Sequence, residues 1–132
     1  MSDIKVESLK ETFIQKYGES SSSSNLYFAP GRINLIGEHI DFNGGYVFPC
    51  ALDFGTYAVA RKRSDGRVHF ASLNMTLEKT IDTQTIVYDE VDDWINYPKG
   101  VIKAFLDRGH MIGGFDILYY GNIPNGAGLS SS

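Results

Sequence analysis

The segment PGRINLIGEHIDF, residues 30–42, concentrates polar side chains between glycines. Gly31 and Gly37 punctuate the segment, and the apolar pair Leu35 and Ile36 interrupts it. Its polar side chains are those of Arg32, Asn34, Glu38, His39 and Asp41. A solvated surface face has no need of glycines on both sides of such a run, whereas a site for a small polar molecule does. The segment therefore predicts a binding site for a polar ligand.

Composition sets wide limits around this segment. The 132 residues suit one small domain or a piece of a larger one. A net charge of -4 and the lack of any basic block give no reason to expect a nucleic-acid or membrane partner. The lone Cys50 fits a reducing compartment. Because no secretory signal and no apolar run of about 20 residues is visible, we expect a cytoplasmic protein.

Apolar spacing predicts a helix near the amino terminus. Val6, Leu9, Phe13 and Tyr17 recur at intervals of three and four residues. Ser2 or Asp3 can cap this helix, and Gly18 ends it. The following stretch, residues 18–25, reads GESSSSSN and predicts a flexible, serine-rich loop.

Strand patterns dominate the middle of the chain. Residues 46–52 and 55–63 predict two strands, and Ser64–Gly66 predicts a hairpin turn into a further strand over residues 68–73. Alternating apolar residues predict one more strand around residues 115–119. With the helices, this order predicts a mixed α+β fold built on antiparallel hairpins rather than on a regular βαβ series.

A second helix is predicted between the later strands. Asp92 or Asp93 can cap it, and it should run to about Asp107. Its spacing places four apolar side chains on one face, namely Trp94, Tyr97, Val101 and Phe105.

The chain ends in a glycine- and serine-rich segment, residues 124–132, which reads PNGAGLSSS. Glycines allow backbone amides to turn inward, and such amides beside serine hydroxyls can bind phosphate oxygens. The spacing differs from that of the Walker A motif, and a plain turn is the competing interpretation. Because the chain stops between a strand and the helix that such a loop would begin, we expect it to be a fragment.

The polar segment leaves alternatives open on its own. Glu38, His39 and Asp41 suit a ligand rich in hydroxyls, and a metal site competes because these residue types are common ligands. In an extended strand, however, adjacent Glu38 and His39 would point to opposite sides. Arg32 suits phosphate or carboxylate, and a salt bridge to Glu38 or Asp41 is its structural alternative.

Taken together, the two segments resemble a known family. Residues 31–42 (GRINLIGEHIDF) are similar to the sugar-binding motif of galactokinases, in the GHMP superfamily of small-molecule kinases. Residues 126–132 (GAGLSSS) resemble the phosphate-binding second motif of that superfamily. The resemblance runs from about Tyr27 to the last residue. Phe42 departs from it, because the family commonly has tyrosine at this position.

The resemblance implies roles for individual residues. Glu38, His39 and Asp41 would hydrogen-bond galactose, and Arg32 would lie near the anomeric hydroxyl and the γ-phosphate. Trp94 and Tyr97 would line the adenine pocket, although the core face of a helix explains their spacing equally well. The residues that would wrap the ATP phosphates are Gly126, Ala127, Gly128, Leu129, Ser130, Ser131 and Ser132. Ser132 would also help to hold Mg²⁺.

The implied fold is the amino-terminal part of a two-domain kinase, similar to domain 2 of ribosomal protein S5. Residues 1–132 would form a partial domain that stops within the phosphate-binding loop, without the carboxy-terminal domain or the catalytic base. The implied activity is ATP-dependent phosphorylation of galactose, the entry step of galactose catabolism, and the fragment alone would be inactive. Three alternatives remain, which are a kinase for N-acetylgalactosamine or another hexose, a galactose- and ATP-binding transcriptional sensor, and a non-catalytic α+β domain.

Overall fold

The computed structural model describes residues 6–123, without the side chain of Val6. Within this range one α-helix precedes four consecutive strands, and a second α-helix and a fifth strand follow. Two short 3-10 helices, Asp41–Asn43 and Glu90–Ile95, lie between these elements. The elements are α1 (Val6–Tyr17), β1 (Ser24–Ile36), β2 (Phe48–Arg63), β3 (Arg67–Ser72), β4 (Lys79–Asp82), α2 (Asn96–Asp107) and β5 (Gly114–Gly121). The five strands form one sheet in the order β1-β2-β5-β3-β4.

The mixed α+β class is confirmed, but the predicted hairpin is wrong. β5 lies between β2 and β3, so the two strands joined by the short turn are not neighbours. β3 runs parallel to β5, with Phe70 opposite Ile117, and antiparallel to β4. The connection from β3 to β5 contains α2, which is a crossover of the kind that parallel strands require. A local turn signal cannot reveal that a later strand inserts between the two strands that it joins.

A buried ion pair secures β5 beside β2. Asp116 of β5 is 3% exposed, and its carboxylate accepts hydrogen bonds from Arg61 at 3.0 Å and Arg63 at 2.6 Å. Arg61 also donates to the carbonyl oxygens of Tyr17 and Gly18 at the end of α1. Each buried charge therefore has a partner, as burial in a protein interior requires.

The helix α1 forms as predicted and packs on one face of the sheet. Leu9 and Phe13 are almost fully buried, and the guanidinium of Arg61 lies 5.3 Å from the centre of the Phe13 ring. The Tyr17 ring meets His69 of β3 edge-on at 5.0 Å. Gly18 ends the helix with a φ of 74°, a conformation that favours glycine. β1 then begins at Ser24, before the predicted end of the serine-rich loop.

The helix α2 packs on the opposite face, because neighbouring residues of a strand point to opposite sides of a sheet. Ile95 and Ile102 share a buried cluster with Val68 and Phe70 of β3. The predicted apolar face is wrong, since Tyr97, Val101 and Phe105 are all exposed. These three residues share one face of α2, and Ile102 and Leu106 on a neighbouring face of the same helix pack into the cluster instead.

By its contacts, the described part of the chain divides into two compact units. The first comprises residues 6–27 and 58–120, which include both helices. The second comprises residues 28–57 and 121–123, which include the polar segment. No helix in the described range 6–123 is long and apolar enough to cross a membrane.

Candidate functional site

The polar segment begins on β1, where strand alternation places Arg32 and Asn34 on the same face. The Arg32 guanidinium donates a hydrogen bond to Oδ1 of Asn34 at 3.2 Å. Within residues 6–123, Arg32 makes this hydrogen bond, and its guanidinium forms no salt bridge to Glu38 or Asp41. Arg32 is therefore an exposed cation oriented by a neutral partner, with its charge available to an anion.

The strand ends at Ile36, and a turn carries Glu38 and His39. Gly37 has a φ of 98°, and a Cβ there would lie 2.6 Å from the carbonyl oxygen of Tyr46. Only glycine fits this position. His39 also adopts a left-handed conformation, with a φ of 58°. The two side chains therefore belong to a turn, and the prediction that they alternate along an extended strand is wrong.

Asp41 is the first residue of the short 3-10 helix Asp41–Asn43. Gly44 closes this helix with a φ of 75°, and its N–H donates to the carbonyl oxygen of Asp41 at 3.2 Å. The N–H of Gly45 donates to the carbonyl oxygen of Ile40 at 2.8 Å. The backbone around Asp41 is thus held by its own hydrogen bonds, which leaves the carboxylate free to meet a ligand.

The chemistry of this segment is that of a polar binding surface. Arg32, Glu38, His39 and Asp41 are all exposed. Between them they offer a fixed cation, two carboxylates and an imidazole, which together can donate to and accept from several hydroxyls. In the part of the chain that the structure describes, no three histidine, cysteine or acidic side chains form a group able to hold a metal ion.

Asn122 fixes the end of β5 in the same unit, a contact that sequence reasoning missed. Its side-chain Oδ1 accepts a hydrogen bond from the backbone N–H of Gly55 at 2.8 Å, and its backbone N–H donates to the carbonyl oxygen of Gly55 at 3.1 Å. The only signal in the sequence is that asparagine side chains commonly bind backbone groups at turns. The predicted phosphate-binding residues 126–132 follow directly and lie outside the described residues.

In the other unit, a braced turn precedes α2. The carboxylate of Asp89 accepts a hydrogen bond from the N–H of Val91 at 3.2 Å, so Asp89 caps this turn in place of the predicted Asp92 or Asp93. The side chain of Asn96 donates to the carbonyl oxygen of Asp89 at 2.6 Å and accepts from its N–H at 3.3 Å. These two hydrogen bonds therefore join Asp89 and Asn96, the two ends of the turn.

Asp92 instead is buried in this turn, with 2% of its surface exposed. One carboxylate oxygen accepts a hydrogen bond from Lys79 of β4, and the other accepts one from Lys99 of α2. Burial alone would raise the pKa of Asp92, but these two ammonium groups hold it below its ordinary value. Asp92 therefore joins β4 to α2 as a charged bridge.

The residue after Asp92 is strained. Asp93 has a φ of 43° and a ψ of -122°, which interrupts the helical conformation. Such a conformation costs a non-glycine residue about 1 to 3 kcal/mol and persists where its surroundings enforce it. The neighbouring Trp94 donates from its indole N–H to the carbonyl oxygen of Leu77 at 3.1 Å. Its ring meets Tyr119 edge-on at 5.9 Å. The strained turn thus sets the position of a half-buried tryptophan.

The two predicted adenine-pocket residues differ in their surroundings. Trp94 is held by the contacts described above, whereas the Tyr97 side chain is 74% exposed. Burial raises the pKa of Tyr119, which packs against Trp94, to about 12. These two side chains therefore offer a fixed indole and an exposed phenol.

Comparison with known families matches both segments singled out in the sequence. The galactokinase galactose-binding signature matches residues 11–62, and the GHMP kinase N-terminal domain matches residues 96–132. Galactokinase from Clostridium tetani is 55% identical over 130 residues, which make up 98% of this chain and 33% of that protein. The chain thus spans about a third of the length of the curated relatives that it matches.

Solved structures agree with the fold. The crystal structure of Lactococcus lactis galactokinase complexed with galactose matches with a TM-score of 0.87 and 40% identity, over 96% of this chain and 33% of that one. Mevalonate kinase from Methanococcus jannaschii matches with a TM-score of 0.68 at 19% identity, over 83% of this chain and 36% of that one. The second likeness supports the fold alone.

Proposed function

We infer, from the matches to the galactokinase galactose-binding signature and to the GHMP kinase N-terminal domain, that the whole protein transfers a phosphoryl group from ATP to the anomeric hydroxyl of galactose. The observation that carries this proposal is the glycine-shaped turn at residues 37–41, which lies inside the matched signature. It presents Glu38, His39 and Asp41 to solvent at the point where the signature predicts a sugar.

The sugar side of the reaction is assigned to this turn. Glu38, His39 and Asp41 bind galactose hydroxyls, since carboxylates accept from them and an imidazole can either donate or accept. Arg32 stabilises the negative charge on the transferring phosphoryl group, because its guanidinium has no carboxylate partner within residues 6–123. Phosphoryl transfer depends mainly on such positioning and charge neutralisation.

The nucleotide side is assigned to two further segments. Trp94 and Tyr97 contact the adenine base, and residues 126–132 wrap the phosphates with backbone amides and serine hydroxyls. Mg²⁺ takes oxygen ligands and keeps several waters, so the Ser132 hydroxyl together with ATP phosphates is a suitable donor set. When bound, the ion neutralises phosphate charge.

The proposal also places some groups outside these residues. A base that accepts the proton of the sugar hydroxyl is expected in the two thirds of the relatives' length that this chain does not span. We place the whole protein in the cytoplasm, which the lone cysteine and the lack of a long apolar segment in the sequence support. The 132 residues alone should therefore release no ADP from ATP and galactose.

A chimera tests the proposal. In it, these 132 residues replace the matching third of Clostridium tetani galactokinase. We expect the chimera to phosphorylate galactose, and Asp41→Ala to raise the KM for galactose about ten-fold or more while the KM for ATP changes less than about two-fold. Comparison of galactose with its 2-acetamido analogue tests the alternative hexose specificity. Equal changes in both KM values would contradict the sugar-binding role of Asp41.

Asp53→Ala is the matched control. Asp53 is an exposed acid on β2 in the same unit, outside the proposed binding residues. Its removal changes the local charge as Asp41→Ala does, and it should leave both KM values unchanged.

A further inference from the structure

The buried carboxylate of Asp92 has no part in the proposed chemistry, yet two lysines converge on it. Lys99 is 5% exposed on its side chain and Lys79 is 38% exposed, and each donates to a different oxygen of Asp92. Exchange of a buried ion pair for apolar side chains often leaves stability unchanged, so such a pair is weak evidence for a stabilising role. Its directional constraint, by contrast, is strong, because both carboxylate oxygens are fixed by separate elements.

That constraint acts on the strained residue next to it. Asp93 keeps its left-handed φ of 43° between Asp92 and Trp94. Asp92 is tied to β4 and α2, and the Trp94 indole is tied to the carbonyl oxygen of Leu77. Ile95, which follows, is fully buried. Both sides of Asp93 are therefore anchored, so the strained conformation cannot relax without loss of an anchor.

The plane of the Trp94 ring follows from these anchors. Tyr119 packs against this ring, with 86° between the two ring planes and 5.9 Å between the ring centres. A planar heteroaromatic base gains most from an aromatic ring whose orientation is fixed in advance. A turn that relaxed at Asp93 would rotate the indole and weaken stacking without moving a phosphate-binding group.

We propose that Asp92 is a positioning residue for the nucleotide base, holding the strained turn so that Trp94 can stack on the purine ring. This inference rests on the proposed kinase function. Asp92 does not touch the nucleotide itself but acts through Trp94, with Lys79 and Lys99 as its two anchors.

Kinetics of the Asp92→Asn chimera test the proposal. We expect the KM for ATP to rise about five-fold or more, with kcat and the KM for galactose within about two-fold of the parent. We also expect the preference for ATP over UTP to fall, because the phosphates are shared and only the base differs. Asp53→Asn, a matched exposed acid on β2, should change none of these values.

A merely structural role gives a different result. Partial unfolding lowers the concentration of active enzyme, so the apparent kcat falls while both KM values stay constant. That pattern would overturn the proposal, as would equal increases in the two KM values. A parent chimera that cannot phosphorylate any hexose with ATP would overturn the proposed function together with this inference. An active parent whose KM for ATP is insensitive to Asp92→Asn would overturn this inference alone.

A second variant covers poor folding of Asp92→Asn. Glycine adopts a positive φ without strain, so Asp93→Gly reduces the need for the anchor. We expect the double variant Asp92→Asn/Asp93→Gly to recover part of the lost affinity for ATP. In the 132-residue chain, whose single tryptophan is Trp94, the same variant should restore the emission maximum that Asp92→Asn shifts. A double variant no better than Asp92→Asn in either measurement would contradict the proposal.

Discussion

The polar turn at residues 37–41 and the braced turn at residues 89–96 prepare binding residues in opposite ways. In the first turn, the left-handed backbone conformations of Gly37 and His39 set the shape of the turn, and the binding side chains remain exposed. In the second turn, side chains set the shape, since hydrogen bonds of the Asp92 and Asn96 side chains hold the strained backbone in place. The exposed polar side chains of the first turn can rearrange around a ligand with many hydroxyls, whereas the second turn offers a flat base an indole ring of fixed orientation. The comparison makes different residues critical in each turn.

The largest effect is expected where the braced turn loses its buried cation. Lys99→Met leaves half of the buried Asp92 carboxylate unpaired and should lower the free energy of unfolding of the 132-residue chain by about 3 to 5 kcal/mol. Lys79→Met is the matched control on the same carboxylate, and its exposed position predicts a much smaller loss. Urea denaturation followed by circular dichroism measures both. Equal losses would mean that burial does not distinguish the two anchors.

In the polar turn, by contrast, a change of backbone conformation should cause the largest loss of stability. Gly37→Ala combines a φ of 98° with a Cβ placed 2.6 Å from a carbonyl oxygen, so we expect a loss of about 2 to 4 kcal/mol. Gly44→Ala shares the positive φ of 75° but meets nothing within 4 Å, and should cost about 1 kcal/mol. Chemical-shift changes in amides of residues 28–57 locate the damage. Similar losses for the two variants would show that conformation alone, without the close approach, makes Gly37 necessary.

Alkaline pH should weaken the support of the tryptophan. The pKa of Tyr119 is raised to about 12, above the value of about 10 in an unfolded chain. The unfolded state therefore releases a proton first, and stability falls as pH rises from about 10 to about 12, by about 1.4 kcal/mol per pH unit. Absorbance of the phenolate measures the titration, with Tyr119→Phe as control. A Tyr119 that titrates together with exposed tyrosines would contradict the burial that separates them.

The smallest effect concerns Asn122. Asn122→Ala removes the acceptor of the Gly55 N–H and should lower stability by about 1 kcal/mol. Asn43→Ala, an exposed asparagine in the same unit, serves as control and should cost less. Hydrogen exchange at the Gly55 amide should accelerate in the first variant only. An unchanged exchange rate would show that the bond does not protect this amide.

The sequence predicted what depends on local patterns. The helix ending at Gly18, the strand around residue 117 and the glycine-bounded polar segment all follow from spacing and from the conformational freedom of glycine. The burial of Asp92 does not follow from spacing, because its partners Lys79 and Lys99 come from elements whose packing is set by the whole sheet. The buried face of α2 did not follow either, because this helix carries apolar residues at helical spacing on two faces and only its packing against β3 decides which face is buried. Long-range insertion and the choice of the buried helix face are the two features that periodicity cannot represent.

The place of β5 in the sheet has a consequence for how the chain acquires its structure. β2 and β3 are joined by a short turn, yet β5 must come between them. During synthesis both strands emerge before residue 114, where β5 begins. Their pairing as a hairpin is fast and local, since hairpins form within about 1 to 10 μs. That pairing must be broken or avoided before β5 enters, which makes a non-native hairpin the natural kinetic trap of this fold.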